Sequence, residues 1–433
     1  MTPAAWRMLM LGATALAPPM LAPMSAEAQV WCLHEPHVLG ASMDLAVVAP
    51  DPAVALAAAR AARAEIDRLD AVLSRWRPDS DLSQGRPSEA LEAVIAAAER
   101  WREASGGAFD ARRSATFDLD GIAKGHVIDQ ALQAARRIPG VEGLMLDIGG
   151  DLRVWGRSPS PGGWRVGVAD PLRLQDNAEP AQVLRLTEGA VAFSGPGLRG
   201  PHVLRPDGTQ SLVSAAAFAP SAQDADALST SLCAMPVEEG LALVERLEGF
   251  EALVIDAEGR RRASSGWSVL TEPRLILAQA PSAWPAGFDL TLDYEIPHQA
   301  NGLAQPPYLV AWVTDAAGTP LRTLIMMGKD ERFIDQNFIW WRRVGRALGG
   351  AIDALAKPTR RPGRYSLAWD GRDERGRPAP QGRYTVHIEA AREHGGHGYQ
   401  TFDVILGAQA VSLDSPGNGE LGPATVRYGP ADR

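Results

Sequence analysis

The pattern of apolar residues changes near residue 280, and this change constrains the fold more than any other feature. Up to about residue 270, helical and strand-like periodicities alternate, whereas beyond Pro281 only short alternating runs separated by Gly-, Pro- and Asp-rich turns remain. Interleaved helices and strands indicate an α/β or α+β domain, and short strands at even spacing indicate an antiparallel sandwich. We predict an α+β fold, with one mixed domain over 29–280 and a β-sandwich over 284–410.

Both ends of the chain are predicted to lie outside these domains. Arg7, the apolar run 8–17 and Ala26-Glu27-Ala28 have the layout of a signal peptide, which predicts cleavage near Ala28 and a periplasmic protein. A frayed apolar helix over 1–28 is the alternative. Residues 411–433 are polar and rich in Gly and Pro, which predicts a flexible tail.

Composition excludes several classes of protein. The chain has 43 Lys and Arg against 52 Asp and Glu, a formal net charge of −9. An acidic chain without a long basic run is a poor candidate for binding nucleic acid. The 2 cysteines, Cys32 and Cys233, exclude a disulfide-rich scaffold and a four-cysteine zinc site, and the sequence leaves open whether they pair. No apolar run reaches the roughly 18 residues of a transmembrane helix, so no transmembrane segment is expected.

Two clusters of residues could bind phosphate and metal. Residues 118–125 read as a strand end, a glycine turn and a helix start, where exposed amides and Lys124 would suit a phosphate. A plain turn with a surface lysine is the alternative. Asp226 and Thr230 are four residues apart on a predicted helix over 222–235, so carboxylate and hydroxyl share one face and would suit Mg²⁺. Helix capping by Asp224 is the alternative there.

Two further clusters contain paired glycines. Residues 105–110 follow a predicted helix, and their glycines would allow the backbone to approach a ligand closely, although a helix C-cap explains them equally well. Residues 146–151 form a buried strand that ends at a glycine pair, which by itself is compatible with a hairpin or a bulge.

The order of these four clusters resembles the ApbE family, the bacterial FAD:protein FMN transferases, over about residues 38–270. The resemblance includes the segments 74–83, 164–171 and 191–195, and His202. It implies an ApbE-like flavin transferase module with FAD as substrate and Mg²⁺ as cofactor. It also implies that FMN is transferred from FAD to a Thr or Ser hydroxyl of an exported acceptor flavoprotein and that AMP is released.

The resemblance also implies roles for individual residues. The metal ligands would be Asp226, Thr230 and the main chain of Gly121. The flavin and adenine contacts would be Leu39, Trp76, Ala108, Phe109, Asp110, Asp118 and Lys124. Lys124 and His202 would act in catalysis, with His202 helping to deprotonate the attacking hydroxyl. A structural histidine is the alternative for His202. We also expect Asp226 to face the surface, so that its replacement by Ala would remove activity without unfolding the protein.

One departure from the family leaves two other functions open. Only residues 111–117 separate Asp110 from Asp118, where the family usually has several tens of residues that form part of the wall over the cofactor. The alternatives are an FAD pyrophosphatase and a non-catalytic flavin-binding or scaffold protein. Residues 110–116 also resemble the acceptor segments of the family, which raises the hypothesis of self-modification at Thr116. Truncation near Pro281 is expected to leave 29–280 folded and active.

The region beyond Pro281 has weaker resemblances. Residues 363–384 resemble the Ig-like sandwich of the flagellar hook-capping protein, and 284–406 resembles a periplasmic domain family of unassigned function that is sometimes fused to ApbE modules. The Trp-Asp-Gly and Gly-x-Tyr elements of this region predict a hairpin with aromatic core anchors. His387, His394 and His397 are either solvated loop residues or a metal site.

Overall fold

The computed structural model describes the chain from Gln29 to Pro430 with internal gaps. The described residues are 29–112, 117–173, 175, 177–196, 203, 205–209, 211, 213–272, 284–285, 287–298, 306–328, 335–346, 357, 359–392 and 396–430. The predicted signal peptide, His202, His394 and the self-modification hypothesis at Thr116 fall outside these residues.

The N-terminal domain begins with two strands and four helices. They are β1 (Gln29–Val38), β2 (Ala41–Ala49), α1 (Pro52–Leu73), α2 (Asp81–Gln84), α3 (Glu89–Ala104) and α4 (Ala123–Arg136). The domain continues with β3 (Gly143–Ile148), β4 (Asp151–Gly156), β5 (Trp164–Val168), β6 (Gln182–Leu186), β7 (Gly189–Ser194), β8 (Ser214–Ala219), α5 (Ala222–Ala234), α6 (Val237–Val244), β9 (Glu251–Ile255), β10 (Arg261–Ala263) and α7 (Trp267–Leu270). The helix α1 starts at Pro52, because the Asp51 carboxylate caps it by accepting the Ala53 and Val54 amides.

An eight-stranded antiparallel sheet organises this domain, in the order β1-β2-β3-β4-β7-β8-β9-β10. Side chains alternate across it, as expected for strands covered on both faces. Leu45 and Val47 of β2 pack into the larger core, which contains the buried faces of α1, α3, α4 and α5. Ala46 and Val48 pack into a smaller core with the separate β5-β6 hairpin and Trp267.

The C-terminal domain is the predicted antiparallel sandwich. Its elements are β11 (Phe288–Ile296), β12 (Tyr308–Asp315), β13 (Pro320–Met327), α8 (Phe338–Trp340) with a π-helical continuation (Trp341–Gly345), β14 (Gly363–Trp369), β15 (Gly382–Ala391), β16 (His397–Leu406), β17 (Val411–Ser415) and β18 (Ala424–Pro430). Two four-stranded sheets, β14-β11-β18-β17 and β13-β12-β15-β16, enclose one apolar core. The α+β prediction for the whole chain is therefore confirmed.

Two predictions for this domain are wrong. The flexible tail over 411–433 is instead ordered through Pro430, since β18 lies between β11 and β17 in the sheet and Val426 and Tyr428 are buried. The predicted hairpin is also absent, because β14 and β15 belong to opposite sheets. Its aromatic anchors are nevertheless in the core, where Trp369 and Tyr384 meet edge to face with ring centroids 5.5 Å apart.

Within the described ranges, no helix is long and apolar enough to cross a membrane. Cys233 is buried and Cys32 is exposed, and no disulfide joins them.

Candidate functional site

A large cavity opens where the turns after α3, the start of α4 and the helix α5 meet the β5-β6 hairpin. Its volume is about 990 Å³. Eight of the residues predicted from the sequence border it: Ala108, Phe109, Asp110, Asp118, Gly121, Lys124, Asp226 and Thr230. The motifs that are scattered along the sequence therefore lie around one cavity.

Asp226, Thr230 and Gly121 form one corner of this cavity. Asp226 and Thr230 lie one turn apart on α5, as the spacing predicted. A Cβ atom added to Gly121 would lie 2.9 Å from the Thr230 hydroxyl, so the backbone of the 118–121 turn is in close contact with that side chain. Any residue larger than glycine at position 121 would displace the Thr230 hydroxyl from its position beside this turn.

Asp226 is buried, which corrects our expectation that it faces the surface. Its side chain is 4% exposed, and its Oδ2 accepts the Gly125 amide at 3.0 Å. Burial raises the pKa of Asp226 above that of an ordinary aspartate, the Asp151 carboxylate acts in the same direction, and the Lys124 cation opposes both. The carboxylate is thus in an environment that favours a compensating cation.

Lys124 is fixed at the cavity by a buried partner. Its Nζ lies 2.6 Å from Oδ2 of Asp151, which is 1% exposed and whose Oδ1 accepts the Phe193 amide at 3.0 Å. The sequence motif over 146–151 thus ends at the residue that positions the lysine. The Gly125 amide belongs to the segment that we considered for phosphate binding, but it donates its hydrogen bond to Asp226 instead.

The cavity lining also contains an arginine, Arg75, to which the sequence analysis gave no role. Arg75 borders the cavity and pairs with Asp118 at 2.8 Å and with Asp120 at 3.3 Å. Its guanidinium also stacks over Trp76 at 4.6 Å from the ring centroid. Asp118 is therefore part of an ion-pair cluster.

The turn after α3 presents Phe109 and Asp110 to the cavity. The Ser105 hydroxyl accepts the Phe109 amide at 3.0 Å, and Gly106 and Gly107 have positive φ angles of 63° and 86°. These left-handed conformations reverse the chain after the helix, which is why glycines are needed here. Both the C-cap interpretation and the proximity to a ligand site are compatible with this geometry.

The start of α5 is held by residues that the sequence analysis missed. Its N-cap is Ser221, whose hydroxyl accepts the Asp224 amide at 3.1 Å, so the alternative of capping by Asp224 is wrong. The Asp129 carboxylate of α4 accepts the Ala222 and Gln223 amides at 2.8 and 3.0 Å. No local motif marks Asp129, because its partners lie more than 90 positions away in the sequence.

Three predicted site residues are not placed at the cavity. Trp76 is 78% exposed and does not border it, and Leu39 lies in the β1-β2 turn with a positive φ of 49°. His202 is outside the described residues. The roles of all three stay predictions. His387, one of the three histidines considered as solvated loop residues or metal ligands, is not a solvated loop residue. It is buried on β15 and hydrogen-bonded to Tyr399 and Thr314.

The corner formed by Asp226, Thr230 and Gly121 fits a hard divalent cation by its chemistry. It offers one buried carboxylate, one hydroxyl and a main-chain segment packed against that hydroxyl. Mg²⁺ prefers oxygen ligands and often uses only one or two carboxylates. Among the residues with described positions, no group of three or more His, Cys, Asp or Glu side chains is arranged to hold a metal.

Comparison with known proteins agrees with the resemblance noted in the sequence. Residues 39–115 and 111–254 match the ApbE family, and residues 289–423 match a family described as a predicted periplasmic protein, DUF2271. The N-terminal domain is thus similar to the ApbE family, and the C-terminal domain is similar to the DUF2271 family.

Individual relatives cover part of the chain. An FAD:protein FMN transferase of Treponema pallidum is 30% identical over 170 residues, which are 35% of this chain and 46% of that protein. One of Vibrio cholerae is 30% identical over 138 residues, 30% of this chain and 41% of that protein. The chain thus spans about half the length of the curated relatives it matches. A solved structure, the flavin transferase ApbE from Vibrio cholerae, covers 56% of this chain at 20% identity with a TM-score of 0.49.

Proposed function

We propose that the protein transfers FMN from FAD to a Thr or Ser hydroxyl of an exported acceptor protein, in an Mg²⁺-dependent reaction that releases AMP. The observation that carries the proposal is the corner of Asp226, Thr230 and Gly121, which opens into a cavity of about 990 Å³ beside Lys124. The names of the curated relatives and the match to the ApbE family support the same activity.

The proposed reaction is a phosphoryl-type transfer. The acceptor hydroxyl oxygen forms a bond to the FMN-side phosphorus of FAD, the bond between this phosphorus and the bridging oxygen breaks, and AMP leaves with that oxygen. Such reactions depend on positioning and on neutralising charge at the phosphates. Bound Mg²⁺ would supply part of that neutralisation, held by Asp226, Thr230 and the main chain of Gly121.

The side chains of this chain would have distinct tasks. Lys124, fixed by Asp151, would keep a cation beside the phosphates. Phe109 and Ala108 border the same cavity and would offer an apolar surface to a ring system. The hydroxyl proton of the acceptor must pass to a base, and His202 remains our candidate for it. DUF2271 and the leader-like start of the sequence favour the periplasm as the site of action.

The test uses the purified full chain with FAD, Mg²⁺ and a carrier protein that bears an Asp-Gly-x-Ser-Gly-Ala-Thr segment. We expect a flavin-fluorescent carrier band that survives denaturation, together with one AMP released per FMN transferred. Asp226→Asn should remove both signals. Asp224→Asn is the matched control, because it removes the same charge from the same helix but does not border the cavity.

The alternative functions give different results in the same assay. An FAD pyrophosphatase would release AMP and free FMN without labelling the carrier. A non-catalytic binding protein would retain FAD and release no AMP. Equal carrier labelling by wild type and Asp226→Asn at limiting Mg²⁺ would contradict the assignment of the metal corner.

A further inference from the structure

The cavity receives one residue from the C-terminal domain. Arg360 precedes β14, yet it borders the cavity, whereas every other described residue of the lining lies between 75 and 255. The guanidinium of Arg360 also lies 5.8 Å from the ring centroid of Tyr365. The ApbE family match ends at residue 254, so this arginine is a feature of the fusion.

The segment that carries Arg360 is attached to the N-terminal domain. The neighbouring Arg361 donates from Nη2 to the Ala41 carbonyl at 3.3 Å, and its own carbonyl accepts the Tyr365 hydroxyl at 2.8 Å. Ala41 is the first residue of β2, directly after the turn that contains Leu39. These contacts position the segment at the edge of the flavin site.

A second contact joins the C-terminal domain to the rim of the cavity. The Asn177 carboxamide donates to the Ala368 carbonyl at 2.6 Å and accepts the Ala368 amide at 2.8 Å. Ala368 lies on β14, an edge strand of its sheet, so this side chain satisfies backbone groups that would otherwise face outward. Asn177 belongs to the β5-β6 connection, whose residues Gln175, Ala178 and Glu179 border the cavity. The C-terminal domain therefore holds this connection in place.

The cavity is lined by charged side chains of both signs. Its described lining includes six carboxylates and four cations, and the cations are Arg75, Lys124, Arg173 and Arg360. A dinucleotide brings further negative charge on its diphosphate, and a guanidinium can meet phosphate oxygens with two parallel hydrogen bonds.

We propose that the C-terminal domain contributes directly to FAD binding at this cavity. In this inference, which rests on the proposed function, Arg360 binds the diphosphate of FAD and the Asn177–Ala368 pair holds the cavity rim closed around it. The domain thereby sets the affinity for FAD, while the transfer chemistry stays with the N-terminal domain.

The test is FAD binding by full-length variants, measured by flavin fluorescence without an acceptor, together with KM and kcat in the transfer assay. Arg360→Ala should weaken FAD binding about tenfold, as expected for the loss of charge-assisted hydrogen bonds, and raise KM with little change in kcat. Arg360→Lys should recover part of the affinity. Arg364→Ala is the matched control, because Arg364 is exposed on β14, pairs with Glu295 and does not border the cavity.

Riboflavin binding and the Asn177→Ala variant distinguish the loss of the Arg360 cation from the release of the cavity rim as causes of weaker binding. Binding of riboflavin, which has no phosphate, should be equal in wild type and Arg360→Ala. Asn177→Ala should weaken the binding of both ligands, because it releases the rim without removing the cation. If Arg360→Ala binds FAD as tightly as the wild type and Arg364→Ala do, while the wild type transfers FMN, the inference about Arg360 is wrong but the proposed function stands. A wild type that neither transfers FMN nor binds FAD would contradict the proposed function itself.

Discussion

Replacement of Gly125 by alanine provides a sharp test of how the site is assembled. Gly125 lies in the first turn of α4 and is buried against the start of α5. An added Cβ would lie 2.2 Å from the Ala222 carbonyl oxygen and 2.7 Å from the Gln223 Cα. Both are backbone atoms, so no side-chain rotation can relieve the overlap, and the two helices must separate by roughly 1 Å to reach ordinary contact.

The magnitude follows from two opposing effects. Alanine is a better helix former than glycine by about 0.8–1.0 kcal/mol, which taken alone would stabilise the variant. Insertion of a methyl group into a close-packed contact costs about 1–3 kcal/mol, and separation of the helices also weakens the hydrogen bond from Gly125 to Asp226, worth about 1 kcal/mol. We therefore expect a net loss of about 2 kcal/mol in the free energy of unfolding.

The assay is thermal unfolding followed by circular dichroism, with FMN transfer measured in parallel. For a domain of this size, a loss of about 2 kcal/mol lowers Tm by about 4–8 °C. Transfer should fall as well, since α5 carries both Asp226 and Thr230. Gln130→Ala is the control, because Gln130 is exposed on the same helix. A Gly125→Ala protein at least as stable as the wild type would refute this account of the helix contact.

Three further predictions follow from the structure. Gly121→Ala should raise the Mg²⁺ concentration needed for transfer while lowering Tm less than Gly125→Ala, because its Cβ would displace only the side chains of Thr230 and Phe109; unchanged Mg²⁺ dependence would contradict this. Burial lowers the pKa of His387 from its usual 6.5 to about 4. Because the unfolded imidazole is protonated first as the pH falls, the C-terminal domain should lose up to about 3 kcal/mol of stability between pH 6.5 and 4, and His387→Gln should flatten that slope in chemical denaturation. A truncated 29–280 protein should fold on its own core but bind FAD more weakly than the full chain; equal affinity would refute the coupling between the domains.

The sequence predicted the strands best where local pattern and burial agree. In residues 143–148 and 288–296 the apolar residues alternate between clear turns, which indicates strands, and both segments are strands in the structure. The error at 411–433 has a different cause. Gly and Pro around 416–423 suggested disorder, but Val426 and Tyr428 are buried because β11 and β17 pair on either side of them. Such pairing is a long-range property that local composition does not encode.

The site was predictable where its residues form ordered motifs. The spacing of Asp226 and Thr230 placed both on one face of a helix, and the structure has them there. The burial of Asp226 was not predictable, since it depends on Gly125 of another helix. Arg75 and Asp129 likewise have partners far away in the sequence, and Arg360 borders the cavity from the other domain, so no spacing rule connects these residues to the site.

The shortened 111–117 segment and the position of Arg360 have a common interpretation. The ApbE match consists of two pieces that meet at 111–115, the point where the family resemblance implies several tens of additional residues over the cofactor. The same cavity is bordered here by Ala111 and Asp118, at the ends of the shortened segment, and by Arg360 of the C-terminal domain. A cavity that lacks one wall binds its ligand weakly, because less of the ligand is removed from water. The fused domain can supply a replacement wall while Asp226, Thr230 and their support remain within the ApbE domain.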